Sequence, residues 1–195
     1  MKKGIVALAV IVGLAVLIGF MAMGTYNRLV GLDEAVDTAW SQVENVYQRR
    51  ADLVPNLVAT VKGASEFEQE TLTKVIEARA QATQVKFDQA PSADQLQQFE
   101  TAQSGLSSAL SRLLVTVERY PELKAVDAFR DLQAQLEGTE NRITVERQKF
   151  NVAAQEFNTA RRKFPAVLIA NMMGFTEKAY FKSTPGSEAP PKVEF

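Results

Sequence analysis

Residues 4–24 carry no charged side chain and follow directly on Lys2 and Lys3. At a helical rise of ~1.5 Å per residue the run is ~30 Å long, the thickness of a bilayer's hydrocarbon core. A chain with this segment is expected to cross a membrane once and to place everything after Gly24 on one side. The flanks also fit a signal peptide, with Ala22-Met23-Gly24 as a small-x-small cleavage site. The run exceeds the ~7–15 apolar residues of a signal, which favours a retained span. Lys2, Lys3 and the α-amino group outweigh Arg28, so charge bias keeps the N-terminus in the cytoplasm and exports the domain.

Composition narrows the chemistry. The chain has 22 Lys+Arg against 23 Asp+Glu, with no His and no Cys. No basic surplus marks a nucleic-acid surface. Imidazole acid–base catalysis, thiol nucleophiles and His or Cys metal sites are excluded. A ferritin-like di-iron bundle needs Glu-x-x-His pairs, so that site cannot be built. No cofactor is expected. No Ser-x-x-Lys occurs, which removes the commonest histidine-free serine hydrolase signature.

Four helical segments are expected after the span. In the first, Leu29, Val36, Val43 and Leu57 share one heptad position, interrupted by Arg50, and Leu32, Ala39, Val46 and Leu53 share its partner. Trp40 and Tyr47 form a second stripe. Pro55 is expected to kink or restart this helix, and Gly63 to end it. The second helix should open on a capping box at Ser65–Glu68 and run to about Phe87. The third is capped by Ser92 with Gln95 and carries Phe99, Leu106, Leu113 and Tyr120 at sevens. The fourth runs from Glu122 to about Phe164, with Phe129, Leu136, Ile143, Phe150, Phe157 and Phe164 at strict sevens.

The lengths predict an up, down, up, down path that returns Phe164 to the bilayer. The fold class is therefore all-α: an N-terminal transmembrane helix leading into an elongated antiparallel bundle of long, coiled-coil-like helices. The divisions are a basic flank (1–3), the span (4–24), the helical domain (25–182) and a Pro-rich disordered tail (183–195).

Two polar groups could be catalytic: Glu44, Arg49, Arg50, Asp52 and Asn56 near Pro55, and Glu140, Asn141 and Arg142 in the fourth helix. Neither has catalytic spacing, and helix-surface ion pairing explains both, so packing is the favoured reading. Trp40, Tyr47, Phe129, Leu136, Ile143, Phe150, Phe157 and Phe164 are expected to be packing or oligomer faces, because the fourth helix outlasts its partners. Arg161, Arg162 and Lys163, with Leu168 and Ile169 beyond Pro165, are expected to touch the membrane surface or to close the bundle base.

The stretch AWSQVENVYQRRADLVPNLVATVKG, residues 39–63, resembles the LemA family. So do Tyr26–Val30, Ala78-Arg79, Tyr120–Ala125, Leu136–Ile143, Phe150-Asn151, Gly174-Phe175 and Tyr180-Phe181. The resemblance implies a bacterial membrane-anchored helical bundle with no catalytic residues to carry over. It also implies a domain on the cytoplasmic side, opposite to the charge count, and an accessory role beside a membrane metalloprotease.

The expected function is a non-catalytic scaffold in the bacterial cytoplasmic membrane, single-pass, touching lipid and assembling as a homo-oligomer. The alternatives are an adaptor for a membrane protease or envelope enzyme and, behind it, a carboxylate-dependent hydrolase.

Overall fold

The computed structural model describes residues 2–63 and 68–182, and within these the side chains of residues 2, 3, 5–7 and 124 are left undescribed. The helices are α1 (Lys2–Lys62), α2 (Gln69–Gln84), α3 (Ala93–Val117), α4 (Pro121–Lys124), α5 (Asp127–Arg162) and α6 (Ala166–Met173). No strand occurs among the described residues. The expected all-α class, an apolar N-terminal helix leading into a bundle, is what forms.

α1 is continuous over 61 residues. Its first part, including Leu8, Ile11, Leu14, Ile18 and Phe20, is bare of protein, while Leu29, Val36, Val43 and Leu57 are buried in the bundle. The helix is thus long and apolar enough to cross a membrane and then becomes the central member of the domain without a linker.

The helix does not restart at Pro55, since α1 passes through it. Proline cannot donate to the carbonyl four residues earlier, which here is Ala51. Arg79 of α2 supplies the missing donor, with its Nε 2.8 Å from the Ala51 oxygen. The carbonyl that Pro55 leaves free is therefore the point at which α2 docks on α1. Arg79→Ala should cost about 1–2 kcal/mol. The cost should shrink in a Pro55→Ala background, where the helix satisfies Ala51 itself. A double-mutant cycle of unfolding measures this coupling; additive effects would show the two sites to be independent.

Two other expected boundaries move. The second helix begins at Gln69 with Glu68 as its N-cap, and no side chain caps it. The expected box at Ser65–Glu68 falls mostly outside the described residues. α2 stops at Gln84, short of Phe87, and residues 85–90 fold across α1. The third-helix box forms as expected, with Ser92 N donating to Gln95 Oε1 at 2.9 Å.

The long fourth helix is divided. α4 ends at Lys124, Val126 is extended, and α5 starts at Asp127. Leu123 and Phe129 are both buried in the same distal cluster. Six residues apart on one helix they would point ~120° apart, so the break re-aims both inward. α5 ends at Arg162 and not at Phe164, and the chain turns at the cis Phe164-Pro165 peptide.

The core runs the length of the bundle. Far from the span, α1 to α5 all contribute, through residues such as Val54, Leu72, Leu113, Leu123 and Phe129. In the middle, α1 and α5 pack against the start of α3 and against two irregular pieces carrying Phe87 and Phe181. At the base only α1, α5 and α6 remain, around Leu29, Ala160, Ala166 and Ala170.

Candidate functional site

The Phe stripe lies inside the chain's own core. Phe129, Leu136, Ile143, Phe150 and Phe157 are all buried, as are Trp40 and Tyr47. The excess apolar face expected from helix lengths is covered by α1 and by residues 175–182. Trp40 alone meets four rings: Phe87, Phe99, Phe150 and Phe181. Of the expected oligomer face, only Phe164 points away from the chain, at 81% exposed.

The segment covering α5 is an extended strap. Gly174 turns the chain at φ 78°, a left-handed conformation suited to glycine, and residues 175–182 run back along α5. Asn158 grips Lys178, accepting from its backbone N–H and donating to its carbonyl, both at 2.9 Å. Asn151 does the same to Phe181, again at 2.9 Å in both directions. Two helical turns of α5 span ~10 Å, close to three extended residues, so the Asn pair and the strap stay in step. Arg147 adds a bond to the Lys182 carbonyl and lies over the Phe181 ring, and Lys178 pairs with Asp33 of α1 at 2.6 Å.

The two polar groups singled out from sequence meet in part. Arg50 is 1% exposed. Its Nη1 donates to Glu140 at 2.7 Å and to Ser107 at 2.8 Å, and its Nη2 donates to the Gln103 side chain at 2.7 Å. Gln103 in turn donates to the Ala82 carbonyl, so one guanidinium links α1, α3 and α5 directly and α2 through Gln103. This is a packed node in which both Nη atoms are bonded, while the buried Arg50 Nε has no hydrogen-bond partner among the described residues. Arg49, Asp52, Asn56, Asn141 and Arg142 stay on exposed surfaces, and Asp52 pairs with Gln48 one turn away. Among the described residues no three acidic side chains converge on a metal-sized site.

Glu44 is held apart from that node. Its Oε1 accepts from the Phe87 N–H at 3.3 Å in the loop after α2. Loss of water on burial raises its pKa, and the Phe87 amide and Lys86 oppose this in part. A carboxylate raised in the folded state binds its proton more tightly there than in the unfolded chain. Its ionised form therefore lowers stability above the carboxylate range, and the loss is recovered as pH falls through it. Glu44→Gln keeps an acceptor for Phe87 and removes the charge. Melting followed from pH 4 to 8 should show the variant gaining on the wild type as pH rises; parallel curves would contradict this.

The residues expected at the membrane surface separate at the bundle base. Lys163 and Arg162 are exposed, and Leu168 is 61% exposed. Ile169 is buried, and Arg161 turns inward to the Phe175 carbonyl and Glu177. Leu168 and Ile169 lie ~100° apart on α6, and the helix docks with the Ile169 side toward the protein. The bare face instead combines Leu168 with Phe164 and Met172, the last 74% exposed. Phe164 lines a hollow with Met21, Gly24, Thr25 and Arg28, so the chain returns to the end of the uncharged run as its helix lengths require.

The Asn clamps were not anticipated. A signal was present: the dipeptide Phe-Asn recurs at 150-151 and 157-158, so each buried Phe is followed by an amide at heptad spacing.

Residues 39–195 match the family model described as LemA family. The chain is 25% identical to Magnetosome protein MamQ 2 of Paramagnetospirillum magneticum, over 96% of this chain and 76% of that protein. It is equally 25% identical to Magnetosome protein MamQ of Magnetospirillum gryphiswaldense, over 97% of this chain and 77% of the relative. Protein LemA of Metamycoplasma hominis is 21% identical over 85% of this chain and 72% of its own length.

Proposed function

Because the chain belongs to the LemA family, we propose that it works as a non-catalytic, membrane-anchored scaffold. The observation that carries this reading is the unbroken α1, which joins an apolar, protein-free segment to the centre of the bundle. A bundle built on such a helix keeps a fixed attitude to the bilayer, as a docking platform requires. The polar sites support the same reading, since the amides of Asn151 and Asn158 and both Nη atoms of Arg50 are bonded within the fold.

The working partner is a membrane enzyme, a membrane protease being the expected class, in preference to further copies joined through the Phe stripe. That stripe, Phe164 apart, is enclosed by the chain itself. Assembly of copies through the span and base is the second form of the same scaffold.

The test is native mass analysis of the full-length protein in detergent, over a range of concentrations, beside cross-linking in cells. A monomer that captures a membrane enzyme supports the docking platform. A defined multimer in both settings replaces it with the self-assembling form. A monomer with no cross-linked partner, under conditions that capture known complexes, overturns the scaffold.

A further inference from the structure

We propose that the outer face of α6 lies in the interfacial layer of the bilayer, so that the protein holds the membrane by a span and by a separate foot. This rests on the reading that residues 4–24 cross the membrane, and it goes beyond that reading by assigning a second lipid contact on the folded domain.

α6 is apolar on nearly every side. Ala166, Ile169 and Ala170 face inward, toward the cluster with Leu29 and Ala160. Leu168, Met172 and Met173 face outward, and Asn171 is the one polar residue in the helix. A helix apolar all round is normally enclosed by protein or lipid. Among the described residues nothing covers the outer side. Phe164, two residues before α6, adds a further bare aromatic ring at the same base.

Continuity with the span identifies the occupant. Phe164 shares a hollow with Met21, Gly24 and Thr25, the end of the uncharged stretch of α1. Met21 and Met23 are bare for the same reason as the rest of that stretch. The apolar surface of the foot therefore joins the apolar surface of the span at one level. At ~12 Å, eight residues of helix are too short to cross a bilayer and suit a position along its surface.

Charge agrees with that position. Arg28, Arg162 and Lys163 are exposed around the same base and have no carboxylate partner among the described residues. Cations at this height meet lipid phosphates, while Arg161 on the inner side is already paired with Glu177.

The absence of cysteine allows a clean test. Single fluorescent labels are placed on full-length Met172→Cys, Val12→Cys and Ile76→Cys proteins, reconstituted in vesicles of zwitterionic and anionic phospholipid. Lipids bearing a nitroxide at shallow or deep positions serve as quenchers. Val12 reports the span, and Ile76, exposed on α2, reports the distal bundle.

The expected result is that the label at 172 loses most of its emission to the shallow quencher and is shielded from iodide. The label at 12 should respond to the deep quencher and the label at 76 to iodide alone. Quenching at 12 without quenching at 172 overturns the foot and leaves the span standing. Failure at 12 removes the spanning premise and the foot with it. Equal lipid quenching at 76 and 172 means that the whole bundle adsorbs, which also overturns an assigned foot.

Discussion

Replacing Arg50 by alanine should destabilise the protein by about 3 kcal/mol, because the change strips a buried node of its shared donor. The guanidinium sits between the two main core clusters, with Tyr47 on one side and Val54 on the other. Besides its bonds to Glu140, Ser107 and the Gln103 side chain, it donates to the Gln103 carbonyl at 3.2 Å and lies 5.0 Å from the Tyr47 ring centre. Without it, the Gln103 oxygen is left buried and unpaired. For a chain of this size the loss corresponds to a melting shift of roughly 6–12 °C.

Most of that cost should come from the buried partners and little from the ion pair itself. The Glu140 side chain is 49% exposed, so water can replace its bond to Arg50. Glu140→Gln should accordingly cost less than about 1 kcal/mol. Arg50→Lys should behave more like alanine than like wild type, since one ammonium cannot reproduce a planar fork that serves three side chains. The measurement is thermal unfolding of the three variants in detergent, followed by helicity. A larger loss for Glu140→Gln than for Arg50→Ala would reverse this assignment.

The second large effect is expected at Asn158, which is fully buried. Asn158→Ala removes both bonds to the Lys178 backbone and a third to the Tyr180 hydroxyl, at 2.9 Å. The expected cost is about 2–3 kcal/mol. Part of it should appear as local release of residues 175–182, because the strap has little of its own structure to hold it. Trypsin cleavage after Lys178 should therefore accelerate well before the helices melt. Asn158→Asp should be no better than alanine, because a carboxylate accepts from the Lys178 N–H but cannot donate to its carbonyl. Cleavage at the wild-type rate in Asn158→Ala would mean that the strap is held by its aromatic and ionic contacts alone. Since Asn151 and Asn158 hold one segment, their effects should be less than additive.

The strap also accounts for how the chain covers the Phe stripe around Phe150 and Phe157. The excess length of α5 over α2 and α3 is real, with 36 residues against 16 and 25. Its inner side is closed by α1, by the loop carrying Phe87 and by Phe175 and Phe181 returning from the base. Heptad spacing marks residues that leave water, and it carries no information about whether a helix, a loop or another copy covers them.

The sequence by itself determined the apolar run at the N-terminus, the all-α class, the capping box of α3, the family and the identity of most core residues. These are local or periodic properties: a hydrophobic repeat or a capping pattern can be read within one or two turns of helix. Only the tertiary structure decided that α1 runs through Pro55, that Arg50 meets Glu140 and Gln103, that Asn151 and Asn158 clamp the strap, and that Leu168 faces outward while Ile169 faces in. Those outcomes depend on polar groups dozens of residues apart in the chain. A side chain such as Arg79 or Arg50 acquires its partner only when another helix brings an unsatisfied oxygen within hydrogen-bond reach.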